Sequence, residues 1–573
     1  MEKKLPRIIM VLFLFLGLIT YGQEQTINGT VTGEDNLPLP GVNVFIKGST
    51  TGTQTDFDGN YTINANQGDV LVFSFVGKET QEITVGSQTT IDVNLGADSA
   101  ELDEVVITAQ GIRAKPRSLS YALESVEADD VQKSRETNLV SALSSKASGV
   151  QVTSSSGSVG ASANIRVRGN TSITRSNSPL FVVDGVPIDN SSFSEDPTQT
   201  NNNSSLGGSD FSNRAIDINS NDIASISILK GIAAQTLYGL RAANGVVLIT
   251  TKKGKAGRTR VSVNSTLSFA EYNKVPETQE LYAQGRHFEG ALQYQGPETF
   301  EGDSWGPLIS DLEFDGATDY PFDRNGRLVP AGTGNGMPAQ AYDRYDFFKR
   351  GLTTDISVGI SGGSEKVNYR ASIGKLNQEG ISPNELFERK TFRVDLRADL
   401  TENLTLDGSA QYTNSGGNRV QRGSNISGVM LGLLRNTPTF DMGNGKEGQA
   451  AANDPDTYFY NVPGAELPGH RSYRDGIYNS PYFAVARNVN LDDVNRTIGK
   501  LGLSYDITDW LSFKTSGSID RYTDTRKIGF DVLDASFGNG RVINDVIANQ
   551  DVNWSGIFNA LYNFSDTFGI DAN

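Results

Sequence analysis

The stretch SISILKGIAAQTLYGLRAANGVVLITTKKG, residues 225–254, shows how this chain is organised. Apolar and polar residues alternate at its start, which predicts a half-buried strand that ends at Lys230-Gly231. Residues 232–237 leave room for one or two helical turns. Asn244-Gly245 predicts a turn because both residues tolerate positive φ, and the β-branched run 246–251 predicts a buried strand. Small soluble modules precede this stretch and long amphipathic strands follow it, so it marks a junction.

The composition restricts the possible chemistry. The chain has 573 residues, a formal net charge of −17, no cysteine and two histidines. Disulfides and thiolate metal sites are therefore excluded. His287 and His470 lie far apart in sequence, so neither a histidine metal site nor a catalytic Ser/His/Asp set is expected. An acidic exported chain is a poor partner for nucleic acid. We predict a protein that is not an enzyme and uses no metal or cofactor.

Residues 1–22 have the layout of a signal peptide. Three basic residues within residues 3–7 precede an apolar core at 8–19, and Thr20-Tyr21-Gly22 is an acceptable cleavage site. The apolar core is too short to span a bilayer, which takes about 20 residues. No later stretch approaches a membrane-spanning helix, so a membrane location would require a β-barrel.

Residues 23–96 predict a compact β-sandwich of seven or fewer strands separated by polar turns. The predicted strands are Ile27–Val31, Val42–Ile46, Tyr61–Asn64, Val70–Val76 and Thr90–Leu95. The alternation of Asp56, Asp58 and Asn60 could mimic a calcium loop. The bidentate glutamate that such a loop needs at its last position is missing, which favours a plain turn.

Residues 97–115 form a linker around a short acidic and β-branched segment. Such a segment can add as an extra strand to the sheet edge of a partner, and it could equally be the last strand of the sandwich. The residues of the segment are Glu101, Leu102, Asp103, Glu104, Val105, Val106, Ile107 and Thr108.

Residues 116–257 predict a small α/β domain that includes most of the opening stretch. Residues 138–147 predict a short amphipathic helix with Gly149 as its C-cap. A tight turn at Asp184-Gly185 is predicted after the second of two strands. These two strands are Ile165–Arg168 and Leu180–Val183.

Residues 258–573 alternate apolar and polar side chains over long segments. Within residues 392–400, for example, apolar side chains alternate with arginine and aspartate. An unbroken apolar face opposite charged side chains is typical of a membrane barrel with a wet interior. Short turns are predicted near residues 363, 401, 508 and 565, and long connections at 271–352, 378–388, 414–493 and 524–550. This strict alternation predicts periplasmic turns and long extracellular loops.

Eight strands are predicted, and a ninth begins near Phe568. Eight strands enclose an interior that their own side chains fill, and an open sheet edge is not tolerated in lipid. We therefore expect the amino-terminal portion of a longer protein. The predicted fold class is mainly β, with an N-terminal β-sandwich, a small α/β domain and an incomplete transmembrane antiparallel β-barrel.

Two blocks of the α/β domain carry a family resemblance. Residues 229–254 and the pair of segments Val167-Arg168-Gly169 and PLFVVDGVP (179–187) resemble the plug-domain signatures of SusC/RagA-type TonB-dependent outer-membrane transporters. The matching signature residues are Arg168, Gly169, Asp184, Gly185, Lys230, Gly231, Tyr238, Gly239, Arg241, Asn244 and Gly245. Residues 23–96 resemble the carboxypeptidase regulatory-like domain of such proteins, without zinc ligands, and residues 101–108 resemble a TonB box.

The resemblance implies energy-coupled import through an outer-membrane barrel of 22 strands, with the N-terminal domain in the periplasm. The implied partners are a TonB-type energy-transducing protein, a SusD-like surface lipoprotein acting as a lid, and an oligosaccharide or peptide cargo. The polar stretch 189–222 would then face the barrel lumen and contact substrate or act as a gate, or it is a flexible surface loop. Tyr458-Phe459-Tyr460 could stack on sugar rings or bind the lid protein.

Two other functions remain open. A siderophore or cobalamin receptor shares the plug and barrel, although the N-terminal sandwich and the LYGLRAANGV block favour the SusC type. A surface-binding protein could use the barrel as an anchor, although an anchor needs no TonB box. The residues that bind substrate are not indicated by the sequence.

Overall fold

The computed structural model describes residues 25–33, 37–49, 51–75, 78, 80–96, 106–107, 113–114, 123–134, 136–173, 176–191, 210–421, 428–565 and 568–572. The predicted signal peptide and most of the TonB-box-like segment lie outside these residues. Residues up to 106 form one compact unit and residues from 120 onward form a second. Among the described residues, no helix is long and apolar enough to cross a membrane.

The first unit is built from two small sheets. Their strands are β1 Gln25–Gly33, β2 Asn43–Ile46, β3 Gly52–Gln54, β4 Asn60–Ala65, β5 Val70–Ser74, β6 Gln81–Thr84 and β7 Val93–Leu95. The order is β4-β1-β7 in one sheet and β3-β2-β5-β6 in the other. Alternate residues of β1 and β4 point into a common core, in which the Tyr61 and Phe73 rings pack edge to face with centroids 5.3 Å apart. The prediction missed β3 and β6, which are too short and too polar to give an apolar pattern.

The turn at residues 56–60 is the plain turn that the sequence favours. Asp56 accepts hydrogen bonds from the backbone N–H groups of Asp58 (3.0 Å) and Asn60 (2.8 Å), so its carboxylate is used inside the turn. Residues 106–107 (β8) and 113–114 (β9) pair as a separate two-stranded sheet.

The α/β domain begins the second unit. Its elements are β10 Leu123–Glu127, α1 Ala128–Lys133, α2 Leu139–Ala142, β11 Val150–Ser154, β12 Ala163–Val167, β13 Leu180–Val183, β14 Val186–Ile188, β15 Ile223–Leu229, α3 Ile232–Tyr238 and β16 Val246–Thr251. Five strands form a mixed sheet in the order β10-β15-β16-β13-β14, and β11 pairs with β12. The predicted strand, helix, turn and strand of the opening stretch are confirmed as β15, α3, the Asn244-Gly245 turn and β16.

The helix predicted at 138–147 is shorter than expected. It ends at Ala142, and turns follow. Its start is capped by Asn138, whose side-chain oxygen accepts the backbone N–H of Val140 at 3.0 Å. Serines 144 and 145 stop it, because serine competes for backbone hydrogen bonds and Ser145 adopts a positive φ of 62°. Gly149 has a positive φ but lies beyond these turns, so it is not the C-cap of this helix.

The remaining chain forms long strands joined by short turns and by two large loops. Its elements are β17 Gly257–Ala270, β18 Gly285–Phe288, β19 Ala291–Tyr294, β20 Leu312–Phe314, β21 Leu328–Pro330, β22 Gly351–Gly363, β23 Val367–Glu379, β24 Leu386–Asp399, β25 Leu404–Asn418, α4 Val429–Arg435, α5 Gly448–Ala452, β26 Phe459–Tyr460, β27 Gly469–His470, α6 Pro481–Arg487, β28 Val489–Thr508, β29 Leu511–Val532, β30 Asn539–Ser565 and β31 Phe568–Ala572. Nine of these strands form one antiparallel sheet in the order β17-β22-β23-β24-β25-β28-β29-β30-β31.

The two faces of this sheet reverse the usual distribution of polarity. Outward residues such as Val261, Ile373 and Leu501 are 61–66% exposed. Inward residues such as Arg393 and Arg496 are no more than 3% exposed. An exposed apolar face and a buried polar face are expected for the wall of a transmembrane barrel, since lipid covers the outside. We call this sheet the wall. Its predicted alternation is confirmed.

Two of the four predicted long connections are in fact short. β23 and β24 are joined by residues 380–385, and β29 and β30 by residues 533–538. The prediction of loops at 378–388 and 524–550 was wrong. On β23, β24 and β29 the strands continue into a region where outward side chains such as Lys527 are polar, and on β30 the outward Val542 and Val546 alternate with polar residues that masked the strand. The strict alternation of short and long connections therefore does not hold. Residues 271–350 and 419–488 are the two long loops, and all four connections lie at the same end of the wall, which we call the loop end.

The two long loops share a core. Apolar side chains from both pack together, including Phe322 and Phe347 from the first loop and Leu433 and Phe483 from the second. Arg471 is fully buried among them. Its guanidinium donates to backbone carbonyls of both loops, at Pro321, Phe322, Asp441, Met442 and Thr457. Burial lowers the pKa of Arg471 to about 10 although Asp441 and Asp323 oppose this effect.

Candidate functional site between the α/β domain and the wall

Lys230 of the signature joins three parts of the α/β domain. It follows β15, forms an ion pair with Glu124 of β10 and donates to the Ser148 carbonyl at 2.5 Å. The hydrogen bond from Lys230 and a second one from the Ser148 N–H lower the pKa of Glu124. Lys230 therefore has a structural role, which fixes the end of β15 against β10 and the turn at Ser148.

The Asn244-Gly245 turn packs against two neighbouring segments. Gly245 has φ of 94°, and a Cβ there would lie 2.9 Å from the Leu229 carbonyl oxygen, so only glycine fits. The Asn244 side chain accepts from Thr171 Oγ1 at 2.5 Å and donates to the Ser176 carbonyl at 2.8 Å. The turn thus holds the loop that leads into β13.

The other signature glycines set the ends of helix α3. Gly231 (φ 73°) precedes the helix and Gly239 (φ 67°) ends it. Arg168 (φ 60°) and Gly169 (φ 88°) form the turn after β12, and the Arg168 guanidinium lies 3.0 Å from where a Cβ on Gly231 would be. Two more signature residues lie at the end of this helix. Tyr238 packs on the core of the domain, and Arg241 is exposed.

Asp184 and Gly185 differ from the other signature residues because they lie against the wall and not inside the α/β domain. They form the β13–β14 turn, with φ of 50° and 86°. The Asp184 carboxylate accepts from Lys253 Nζ (2.9 Å), from the Thr251 hydroxyl (2.6 Å) and from the Arg393 guanidinium of β24 (2.6 Å). Arg393 also makes a bidentate ion pair with Asp395, at 2.8 Å for both bonds. The signature aspartate is thus linked directly to the inner face of the wall.

The protonation of Asp184 follows from this arrangement. Burial alone would raise the pKa of its carboxyl group, but Lys253, Arg393 and two hydrogen bonds from Thr251 outweigh burial and lower the pKa to about 2. Asp184 is therefore charged at any physiological pH, and its ion pairs with the wall persist.

A second contact centres on Arg496 of β28. Its guanidinium pairs with Asp520 of β29 at 2.7 and 2.8 Å and reaches Asp217 of the α/β domain at 3.3 Å. It also donates to the backbone carbonyls of Arg214 (2.8 Å) and Asp189 (2.9 Å). One buried wall arginine therefore holds the segments on both sides of residues 192–209, which lie outside the described part of the chain.

Asp217 is itself surrounded by wall side chains. The Ser415 hydroxyl donates to its carboxylate at 2.6 Å, and the Thr413 hydroxyl donates to its backbone carbonyl at 2.9 Å. Asp222 of the same segment pairs with Arg370 of β23 at 3.0 Å. Residues 210–222 are largely buried, so this described part of the polar stretch is not a flexible surface loop.

A third contact lies at the loop end. Arg419 pairs with Asp492 at 2.8 and 3.0 Å and donates to the Val159 carbonyl at 2.6 Å. The Val159 N–H donates to Glu385 at 3.2 Å, and burial raises the pKa of that carboxyl group. A Cβ on Gly160 would lie 2.7 Å from the Phe387 ring, so the backbone approaches the wall too closely for any side chain.

Sequence patterns alone did not identify most of this interface. The alternation indicated that Arg393 and Asp395 face inward, but their partner Asp184 is about 200 residues away in sequence. Asp217, Asp222 and Arg496 had no motif to mark them.

The aromatic segment 458–460 is also placed differently from the prediction: Tyr458 is only 5% exposed and packs against Phe459 and Phe483, so its ring is not available to stack on a sugar.

Two family models match the chain. Residues 27–107 match the CarboxypepD_reg-like domain and residues 115–246 match the TonB-dependent Receptor Plug Domain. TonB-dependent receptor P26 of Formosa agariphila is 37% identical over 401 residues, which are 68% of this chain and 34% of that protein. TonB-dependent receptor SusC of Bacteroides thetaiotaomicron is 32% identical over 425 residues, which are 74% of this chain and 37% of that protein.

Solved structures show the same fold. The RagAB peptide importer in its open-open state has a TM-score of 0.57 and 20% identity, over 81% of this chain and 47% of that chain. The chain belongs to the SusC/RagA type of TonB-dependent transporters. The α/β domain is therefore the plug, and the wall resembles part of the β-barrel that this family forms in the outer membrane. Relatives in this family are transporters and receptors, which confirms that the chain is not an enzyme.

The chain spans about a third of the length of the curated relatives it matches. The described residues include the plug and the section of inner wall that holds it. The contacts between them include many ion pairs and hydrogen bonds, whose partners water could replace, and small apolar clusters such as Val159 and Ile216 against Leu376 and Phe387. Such an interface can hold a plug in place and also release it.

Proposed function

We propose that this chain takes part in TonB-dependent active import of oligosaccharides or peptides across the outer membrane, with the plug gating the barrel. The observation that carries the proposal is the buried, charged interface between plug and wall at Asp184–Arg393, Asp217–Arg496 and Asp222–Arg370. Cargo would bind on the loop side of the plug, and a pull from the periplasm would shift the plug to open a path.

The polarity of the interface suits a plug that must move. A buried ion pair gains little net free energy over its separated and hydrated groups, because desolvation offsets the attraction. A hydrophobic interface of similar size would lose roughly 25 cal/mol for each Å² exposed to water. Ion pairs therefore hold the plug in a defined position, and separating the plug from the wall costs less free energy than it would at a hydrophobic interface. This requires that water hydrates the charged groups as the plug leaves.

The energy would come through the segment Glu101–Thr108. We propose that it is a TonB box, which an energy-transducing protein of the TonB type captures as an added strand. Only Val106 and Ile107 of this segment are among the described residues, and they pair with residues 113–114 in a two-stranded sheet. The proposal therefore rests on the residue pattern and on the position of the segment before the plug.

The lid and the cargo are proposed from the family. Residues 281–308 of the first long loop expose large apolar side chains, among them Leu281, Phe288 and Trp305. We place the contact with a SusD-like surface lipoprotein on this loop. Oligosaccharides and peptides are both proposed as cargo: the RagAB relative is a peptide importer, and the family also suggests sugars.

Uptake by cells that carry the full-length gene tests the proposal. The wild type is compared with a deletion of Glu101–Thr108, with oligosaccharides or peptides as sole carbon source. Loss of uptake at unchanged surface abundance supports energy-coupled import and identifies the cargo class. Unchanged uptake rejects the TonB box, and uptake of a ferric siderophore or cobalamin alone would favour the rival receptor function.

A further inference from the structure

The outward face of the wall carries an ordered boundary between apolar and polar rows. Val358, Ile373, Phe392 and Tyr412 lie side by side on β22, β23, β24 and β25, because each is the direct cross-strand partner of the next. All four are at least 36% exposed, although they are large and apolar. On these four strands they lie at the upper edge of the exposed apolar band, towards the loop end.

The next outward row contains two adjacent lysines. Lys375 follows Ile373 on β23, Lys390 precedes Phe392 on β24, and the two lysines are direct cross-strand partners. Both are exposed. Like charges placed directly opposite each other destabilise an antiparallel pair. Glu388 lies 3.6 Å from Lys390, and in the part of the chain that the structure describes Lys375 has no ion pair. The pair therefore carries uncompensated positive charge.

The lysine pair lies at the head of an apolar groove. The groove has a volume of about 480 Å³ and is bounded by both lysines and by the apolar row, with Ile356 beside Lys375. The ammonium groups can hold a phosphate group, and the apolar floor can hold an alkyl chain. An amphiphile with an anionic head and an acyl tail satisfies both parts at once.

We propose that this face of the wall, across β22–β25, binds a phosphate-bearing anionic lipid, with its phosphate between Lys375 and Lys390 and an acyl chain in the groove. We choose this occupant because the site is positively charged and lies at the edge of the apolar band, where a lipid places its phosphate group next to its acyl chain. The proposal needs the wall to lie in a membrane but does not depend on import, so failure of uptake would leave it intact.

Lipid retention tests the proposal. The full chain is purified in a neutral detergent, mixed with phosphatidylglycerol or phosphatidylcholine of identical acyl chains, and analysed by native mass spectrometry. We expect phosphatidylglycerol to be preferred, and Lys375→Gln with Lys390→Gln to reduce that preference by about thirtyfold, since each of the two surface lysines contributes about 1 kcal/mol to anionic lipid binding. Lys375→Arg with Lys390→Arg should keep the preference.

A matched control carries Lys366→Gln and Lys527→Gln. Both lysines are exposed and lie outside the groove, and the cross-strand partner of Lys527 is Leu491. This control should bind as the wild type does. Equal lipid preference in the wild type and the Lys375/Lys390 glutamine variant would overturn the proposal. Displacement of phosphatidylglycerol by millimolar inorganic phosphate would also overturn it, because the site would then hold a free anion.

Discussion

The carboxylate of Asp184 lies 2.6 Å from the guanidinium of Arg393, which joins the plug to the inner face of the wall. Arg393 in turn pairs with Asp395 on its own strand, and Lys253 bridges Asp184 and Asp395 at 2.9 and 2.7 Å. Two cations and two carboxylates thus form one cluster with balanced charge, which is buried except for the half-exposed Lys253. The cluster holds the β13–β14 turn and the end of β16 on β24.

Replacing Asp184 by asparagine should weaken the attachment of the plug. The change leaves one more positive than negative charge around the buried Arg393, which costs on the order of 3 kcal/mol. Hydrogen exchange followed by mass spectrometry should show faster exchange at residues 246–251. Asp399→Asn serves as the control, since its contact with Arg397 (3.7 Å) is largely exposed. Equal protection in both variants would contradict a structural role of the cluster.

The attachment of the plug to the wall at Asp184 should persist in mild acid. The folded-state pKa of Asp184, about 2, lies below its ordinary value of 3.8, so its contribution to stability is full above pH 3.8 and is lost as the pH falls through 2. Exchange at the Thr251 amide, corrected for the intrinsic effect of pH, should therefore stay slow at pH 4.5 and rise between pH 3.8 and 2. A rise already complete at pH 4.5 would show that Asp184 is not the responsible group.

Gly245→Ala should destabilise the plug more than Gly149→Ala. Both glycines have positive φ, which costs alanine about 1 kcal/mol or more. At Gly245 the new Cβ would also lie 2.9 Å from the Leu229 carbonyl oxygen, whereas nothing lies within 4 Å of a Cβ at Gly149. Limited proteolysis of the folded protein should therefore cleave the plug faster in the Gly245 variant. Similar rates would mean that the close approach is relieved by small shifts.

Arg471→Lys should loosen the two long loops from each other. Lysine cannot reach all five carbonyls, and each buried carbonyl left without a donor costs about 1–3 kcal/mol. Proteinase K added outside the cell should then cleave residues 271–350 and 419–488 faster. Arg474→Lys is the control, because Arg474 is half-exposed and donates to the Phe300 carbonyl. Unchanged cleavage of the Arg471 variant would show that the apolar core alone holds the loops.

Local patterns identified most elements of this fold. The alternation in residues 392–400 placed Arg393 on the inner face, and Asn244-Gly245 gave the turn before β16, because both depend on neighbours in sequence. The loops at 380–385 and 533–538 were predicted too long, since strands that rise above the apolar band lose their apolar signal. Pairs such as Asp217–Arg496 could not be predicted, because folding brings together residues that are nearly 280 positions apart.

The roles of the signature residues also needed the structure. Lys230, Gly231 and Gly245 belong to one signature block and Asp184 to the other. Only the structure shows that the first three hold the plug together whereas Asp184 binds the wall. The TonB box at Glu101–Thr108 stays a prediction, as does the cargo.

A reversible tether between plug and wall tests the central claim most directly. A Cβ at Gly374 of β23 would lie 3.5 Å from the Asn219 Cγ, which stands where the sulfur of a cysteine at residue 219 could lie, and the chain has no native cysteine. Asn219→Cys with Gly374→Cys should abolish uptake when oxidised and restore it when reduced. Gly374→Cys with Thr391→Cys, which links two neighbouring wall strands, should import in both states. Wild-type uptake by the fully oxidised Asn219/Gly374 pair would contradict the claim that the plug must leave the wall.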